Sequence, residues 1–594
     1  MNIFNIFKNE FKEIIHKLSQ KLDIEIDNSK LDIFTVEPCK DEKNGDVATN
    51  IAMIFAKDFK KNPRDLAALI ILEIKNNNKV NQIEIAGPGF INIFLKFNIL
   101  QEFLSDILKK DQVSLPQIGD NKKINIEYAS PNPTGPMHIG HARGAIYGDI
   151  LASLLQKTGF DVTKEYYIND AGSQINNLVK SVYLRYLELF GQEIVFLDGL
   201  YPGDYLIPIA KTIKDQYQDN LINKEEGEYF NIIRDLVLDE MIKLITDNLS
   251  KMGIKHDILF SEKKELHEKD KITEAIKILK QKNLIYRGVI EAPKGKKVEN
   301  SKQDNSQNKN SQKEQLLFKS TSFGDDMDRV LQKSDGSYTY FAADIAYCLN
   351  KFQRGAEQMI LPLGFDHSGY VKRLTAAAKA ITDDKVEIKI ILCQMVKFLK
   401  NGESLKMSKR ANNFIMATDV IEEVGIDILR FMMMSRKNDM EINFDLEEVI
   451  KQSKDNPVFY VQYAHTRCHS VMRNLTESNP HLSNIFEDDI DTDILSKLTH
   501  PAEILLVKKL ILYPRVIEMS VSNFEPHRIA FYLQELASQI HFLWNAGIED
   551  DSLRFIIKDN ESLTKARIYL LMASAKIIAS ALDIFNIKAL TKML

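Results

Sequence analysis

The sequence predicts a multidomain α/β protein. A split, doubly wound parallel-sheet domain is expected between an N-terminal α+β module and a C-terminal α-helical bundle. Three observations lead there. The chain has 594 residues, too many for one hydrophobic core. Short apolar runs near Ile124, Val162, Gln358 and Val386 alternate with helical patterns and have the character of buried parallel strands. From residue 451 onward, apolar residues recur at helical spacing over long segments. The expected domains are residues 1–115, 116–450 and 451–594.

A hydrophobic content of 44% and a charged content of 27% are those of an ordinary soluble globular chain. A net charge of −5 neither supports nor excludes nucleic-acid binding, which needs only a local basic face. Cys39, Cys348, Cys393 and Cys468 are scattered without a C-x-x-C pair, which argues against a disulfide framework or zinc site and fits a reducing compartment. Phe7, Phe11, Ile14, Leu18 and Leu22 mark an amphipathic first helix, unlike a signal peptide. No apolar run reaches the roughly 18 residues of a membrane span. The expectation is a soluble cytoplasmic protein with no membrane partner.

In residues 1–115 the first helix should end near Asp23, with further helices over Gly45–Lys57 and Pro63–Lys75. Strands within Gln82–Lys96 flank the turn Ala86-Gly87-Pro88-Gly89-Phe90, where Phe90 and Asn92 read first as exposed β-turn residues. The central stretch is Lys122–Gly159. A strand through Ile124, Ile126 and Tyr128 meets Ser130-Pro131-Asn132-Pro133-Thr134-Gly135-Pro136-Met137-His138-Ile139-Gly140-His141, and then a helix through Ile146, Ile150, Leu151, Leu154 and Leu155 capped by Gly159. The prolines stop the strand because they lack a backbone donor and fix φ. A strand-to-helix turn leaves backbone N–H groups and the positive helix end facing outward, where a phosphate can sit. His138 and His141 share a helix face there, and Gly140 leaves room for a flat ring near the backbone. On residues alone, two unrelated surface histidines or a metal pair stay open, although zinc would need further compact ligands.

Val162–Gln174 reads as a second parallel strand ending at Asn169-Asp170, an N-cap or turn. Residues from about 177 to 290 read as an inserted helical subdomain, broken at Tyr201-Pro202-Gly203-Asp204. Lys294–Gln315, rich in Lys, Asn, Gln and Ser, cannot bury enough to order itself and reads as a solvated insert. Beyond an Asp335-Gly336 turn, Ala342–Arg354 is a helix with Asp344 in its first turn and Gly355 as C-cap. Gln358–Leu363 and Val386–Leu399 return to the sheet, and Gly364-Phe365-Asp366-His367 ends the first at the ligand-bearing edge. A Gly/Ser loop then carries Lys406-Met407-Ser408-Lys409-Arg410, whose two lysines can place point charges over a triphosphate. In the C-terminal region Asn456-Pro457 opens a helix bearing Tyr460, Tyr463 and Arg467, for which amphipathic packing is the simpler reading. Ile529, Leu533, Leu536, Ile540 and Leu543 line one later helix, and Leu571, Ala575, Ile578 and Leu582 another.

His138-Ile139-Gly140-His141 resembles the HIGH signature of class I aminoacyl-tRNA synthetases, and Lys406–Lys409 resembles their KMSKS signature with Arg410 as the last residue. The flanks Glu127-Tyr-Ala-Ser-Pro-Asn and Ala142-Arg143-Gly144, with Gly87-Pro88-Gly89-Phe90-Ile91-Asn92 and Asn456–His465, are similar to arginyl-tRNA synthetases over nearly the whole chain. The resemblance implies a Rossmann-type catalytic domain that joins L-arginine to tRNA-Arg with ATP, with Mg²⁺ carried mainly on the ATP, in a monomer. It implies that His138, His141, Lys406 and Lys409 are catalytic, and that Asn132, Gly140 and Ser408 join them around ATP. Arginine would be held by Glu127, Ser130, Asn132, Tyr340 and Asp344, a guanidinium being best met by carboxylates and a flat aromatic ring. Phe90, Asn92, Tyr460, Tyr463 and Arg467 would touch tRNA by stacking and hydrogen bonding. No resident protein metal is implied. Two departures stand out. Gly135 replaces a lysine found in some relatives, which leaves phosphate charge to the later loop, and Phe365 stands where many keep a glutamine. The alternatives are another class I synthetase or a non-catalytic tRNA-binding module.

Overall fold

The computed structural model describes residues 2–289, 314–405, 415–451, 456–486 and 492–593. The chain divides into two compact units, residues 119–450 and a second made of residues 1–118 with 451–594.

In residues 119–450 five strands form the main sheet: β1 (Lys123–Glu127), β2 (Asp161–Ile168), β3 (Ile258–Ser261), β4 (Gln358–Gly364) and β5 (Glu387–Cys393). Their order is β5-β4-β1-β2-β3, and every pairing is parallel. Ile124, Ile126, Met359 and Ile360 are buried, as expected of strands covered on both faces. Helix α1 (Ala142–Lys157) connects β1 to β2, and Gly159 at φ +91° follows it as expected. Gly148 in α1 is required by packing, since a Cβ there would fall 2.4 Å from the Tyr128 ring. Helix α2 (Ser173–Glu188) leaves β2, α3 (Tyr340–Gln353) precedes β4, and α4 (Val371–Thr382) joins β4 to β5. The chain winds one way from β1 to β3 and the other way from β4 to β5. The carboxyl ends of β1 and β4 therefore flank the crevice where doubly wound sheets bind ligands.

Several expectations need correcting. The stretch from 177 to 290 is mostly helical, but Ile258–Ser261 returns to the main sheet beside β2, because its apolar run finds a strand edge distant in sequence. Val386–Leu399 is two strands in different sheets. β5 stops at Cys393, and Val396–Lys400 pairs instead with Ile442–Asp445 and Glu403–Ser404. Gln315 opens a strand, Gln315–Phe318, paired antiparallel with Ile285–Gly288, so it does not belong to the polar insert. Residues 294–313 of that insert lie outside the described residues. Helix α3 begins at Tyr340 with Thr339 as its N-cap, which puts Asp344 one turn into the helix and Tyr340 above it on the same face. Asp170 does not cap α2. Its carboxylate accepts from Ser261 Oγ at 2.6 Å and the Lys263 amide at 2.8 Å, tying the ends of β2 and β3.

In the second unit an antiparallel sheet runs Val36–Pro38, Val47–Thr49, Phe90–Leu95, Val80–Ala86. The expected helix over Gly45–Lys57 is thus half strand, because Val47–Thr49 has a pairing partner on each side, and only Ile51–Phe55 is helical. The first helix, Ile3–Lys21, buries Phe7, Phe11, Ile15 and Leu18, whereas Leu22 is exposed. The C-terminal helices pack as a bundle, and Leu533, Leu536, Leu571 and Ile578 are fully or almost fully buried in it. Lys508 pairs with Asp46 at 2.6 Å, and Lys576 Nζ donates to the Leu108 carbonyl at 2.9 Å, so the N-terminal sheet and the bundle share one body.

Candidate active site and RNA-facing surfaces

The crevice at the carboxyl ends of β1 and β4 is built first by the histidine turn. Ile139–His141 is a 3₁₀ turn leading into α1, and residues three apart eclipse in such a turn. The His138 and His141 rings accordingly stack, with centroids 3.6 Å apart and planes at 29°. A Cβ at position 140 would stand 2.9 Å from His138 Nδ1, so Gly140 gives the imidazole its space. Asn132 is exposed in the preceding loop. Ser130 Oγ accepts the Tyr167 amide at 3.0 Å, which locks the loop to β2.

The segment that follows the lysine loop is fastened to this turn. Met416 forms a bridge with His138, the Ile139 amide donates to the Ile415 carbonyl at 3.0 Å, and the Ala417 amide donates to the Met137 carbonyl at 3.0 Å. Before the loop, the Leu405 amide donates to the Phe398 carbonyl at 2.9 Å. Lys406, Ser408 and Lys409 themselves lie outside the described residues.

Beside the turn is an acid pocket. Glu127 ends β1 and pairs with Lys351 of α3 at 2.6 Å, both side chains being largely buried. Asp344 is pushed up to about 7, first by burial and then by Glu127 and Glu262, with Arg373 and Lys351 pulling the other way. With all five groups ionised, three carboxylates face two cations, and one guanidinium would balance the pocket. Glu262 is 3% exposed, meets His267 at 3.2 Å and accepts from the Tyr167 hydroxyl. The sequence reading missed Glu262 because it sits within the supposed helical insert. The signal available was the apolar run Ile258–Phe260 just before it.

Below lies a second layer. Buried Glu165 accepts from Tyr347 Oη at 2.7 Å, Arg354 Nη2 at 2.8 Å and Asn125 Nδ2 at 2.7 Å. Burial alone would raise its carboxyl, but Lys351 and Arg354 bring it below the ordinary range. Tyr340, 61% exposed, stands at the rim above Asp344. Phe365 is exposed at the end of β4, where it offers no hydrogen bond to a guanidinium.

In the other unit, Phe90 is exposed at the start of its strand. Asn92 is corrected to buried, two residues on, because it sits mid-strand between Ala48 and Glu84, whereas Phe90 is at the strand's end. Tyr463 is exposed on the helix Pro457–Ser478, with the Arg467 guanidinium 4.3 Å over its ring and 4.8 Å over Trp544. Arg467 Nη1 donates to His541 Nδ1 at 2.9 Å, and His541 Nε2 donates to the Tyr460 carbonyl at 3.3 Å. Those bonds require neutral imidazole, and His541 is pushed down to about 4 by burial and, against the pull of the Tyr460 carbonyl, by Arg467. His541 and Trp544, absent from the sequence reading, complete this cation–aromatic face.

Known proteins match along the whole chain. Family models match for the arginyl tRNA synthetase N terminal domain over residues 5–95, the class I (R) tRNA synthetase catalytic domain over 103–474 and the DALR anticodon binding domain over 461–593. A protein named arginine–tRNA ligase from Wolbachia pipientis subsp. Culex pipiens is 47% identical, over 99% of this chain and 100% of the relative. One of the same name from Rickettsia bellii is 46% identical, over 100% of both. The structure of the Thermus thermophilus arginyl-tRNA synthetase superimposes with a TM-score of 0.68 at 18% identity, over 99% of this chain and 100% of that one, which bears on the fold. On these matches, and with the histidine turn and acid pocket at one sheet edge, the chain belongs to the arginyl-tRNA synthetase family.

Proposed function

We propose that this chain is an arginine–tRNA ligase, forming arginyl-adenylate from L-arginine and ATP and passing the arginyl group to tRNA-Arg. The observation that carries the reading is the bridge between His138 and Met416, in the turn that follows the strand whose last residue, Glu127, faces Asp344. It supports one site in which a triphosphate and a guanidinium lie side by side.

In the first step a carboxylate oxygen of arginine attacks the α-phosphorus, the bond to the bridging oxygen breaks, and pyrophosphate leaves. The nucleophile is already ionised, so catalysis is positioning and charge stabilisation. His138 and His141 stabilise the α-phosphate, Asn132 and Gly140 line the nucleotide, and Lys406, Ser408 and Lys409 hold the departing pyrophosphate. Glu127, Asp344 and Glu262 orient the guanidinium, Tyr340 covers it, and Ser130 and Asn132 serve the amino-acid end. In the second step a ribose hydroxyl of the terminal adenosine attacks the adenylate carbonyl, and AMP leaves. Mg²⁺ is held by proteins chiefly through carboxylates and by phosphate oxygens, whereas the described side chains proposed for the phosphate end are two imidazoles and one amide. The ion would therefore ride on the phosphate oxygens and help neutralise their charge, and no step is assigned to a metal held by protein.

Phe90, with Asn92 behind it, would meet the elbow of the tRNA, while Tyr460, Tyr463 and Arg467 would stack on unpaired anticodon bases. The enzyme would act as a cytoplasmic monomer, and sedimentation should return a mass near 68.1 kDa. All four cysteines are free, as suits that compartment. Among the described residues no helix is long and apolar enough to cross a membrane. Pyrophosphate exchange with each of the twenty amino acids, with and without tRNA, tests the reading. Exchange should depend on arginine, and its absence with tRNA present would end the proposal.

A further inference from the structure

Arg143 is the second residue of α1, two positions after His141, and is 2% exposed. Its guanidinium donates to three carbonyls from two separate segments. Nη1 reaches Gln394 O at 2.8 Å and Met440 O at 2.6 Å, and Nη2 reaches Lys437 O at 2.8 Å. Gln394 lies two residues before the strand Val396–Lys400, and Met440 and Lys437 lie two and five residues before its parallel partner Ile442–Asp445. The Gln394 amide in turn donates to the Asn438 carbonyl at 2.7 Å, so the two segments are already joined where Arg143 grips them. No salt bridge to Arg143 occurs among the described residues, so its direct partners are backbone carbonyls, with the Asp439 carboxylate acting from farther away. A planar fork can serve three converging carbonyls, whereas a lysine is a point charge that cannot reproduce the geometry.

Two independent fastenings thus leave the same short stretch of signature. Residues 137–139 hold Ile415–Ala417 by backbone hydrogen bonds, and Arg143 holds the roots of the small sheet. We propose that Arg143 is a positioning residue which registers the His138–His141 turn against the sheet Val396–Lys400 and Ile442–Asp445, so that the two sides of the triphosphate site stand at a fixed separation. It touches no reacting atom and acts through the backbone it grips. The acid pocket has no part in this linkage, and its arginine affinity should be insensitive to Arg143.

The inference rests on the ligase reading, and arginine-dependent exchange by the unaltered chain tests that reading separately. Arg143→Ala and Arg143→Lys are compared with it in pyrophosphate exchange at saturating tRNA, with arginine binding measured by calorimetry. The expected result is a kcat lowered at least 30-fold in R143A, an arginine Kd within twofold of the unaltered chain, and R143K recovering no more than a tenth of the loss. A kcat within threefold in R143A overturns the proposal. So does an arginine Kd that weakens in step with kcat, which would mark a general structural role, or full recovery in R143K. Should R143A fail to fold, R143M keeps the buried bulk without the donors and takes the same readings with the same criteria.

Discussion

Lys351 Nζ lies 2.6 Å from a carboxylate oxygen of Glu127, and the lysine side chain is 2% exposed. Glu127 therefore arrives at the acid pocket already neutralised from beneath, while Asp344 and Glu262 supply the charge that a guanidinium would meet. Removing one member of such a pair leaves the other buried and uncompensated. Lys351→Met should cost about 3 kcal/mol in denaturant unfolding. The double variant with Glu127→Gln should recover part of it. An unchanged unfolding free energy in K351M would mean that the pair is idle.

Asp344→Ala should abolish arginine-dependent exchange while ATP still binds, since on the proposed reading the acid would face the guanidinium and the histidine turn would hold the phosphates. Exchange kinetics together with equilibrium binding of a non-hydrolysable ATP analogue separate the two. Unaltered exchange in D344A would remove this residue from the pocket.

Asp344 also sets a pH dependence. Burial and then its neighbours Glu127 and Glu262 lift it to about 7, against an ordinary value of 3.8. The folded chain thus binds more protons than the unfolded chain between those values, and the stability this group contributes is present below pH 4 and lost as pH rises through 7. Arginine binding runs the other way, because the guanidinium needs the ionised acid. Its affinity should fall about fivefold from pH 7 to pH 6 and level off above 8. Calorimetry across pH 5.5–8.5 checks this, and Asp344→Asn should flatten the profile.

His141→Ala should lower kcat for exchange by roughly 10²–10³, the cost of removing one preorganised donor at a developing charge. The arginine KM should change little, because the acids lie on other elements. A change confined to the ATP KM would assign His141 to ground-state binding instead.

Tyr463→Ala and Arg467→Ala should each weaken tRNA binding by about 1–3 kcal/mol, the value of one stacked base. Exchange at saturating tRNA should persist. Filter binding as a function of salt separates them, because only R467A should reduce the salt slope.

Much of this was legible in the residues themselves. The helices Pro63–Ile74, Pro457–Ser478 and Glu561–Ile584 follow from caps and apolar spacing, both signalled within one or two turns. The histidine turn follows from three prolines and a glycine. Misreadings fell where a short apolar run could pair in more than one place. Val47–Thr49 became strand because sheet neighbours flank it, and Ile258–Ser261 joined the main sheet although helices surround it in sequence. β-propensity is weak enough that such pairing decides.

The order of amino acids alone determined the doubly wound core, the histidine turn that follows its first strand, and the presence of acids at Glu127 and Asp344. Folding in three dimensions decided which charges face one another. Lys351 reaches Glu127 across 224 residues, Glu262 enters the pocket from β3, and Arg143 grips carbonyls some 250 to 300 positions away. Helical and strand periods are written by neighbours in sequence, whereas the energy of a buried charge depends on whatever the fold brings within a few ångströms of it.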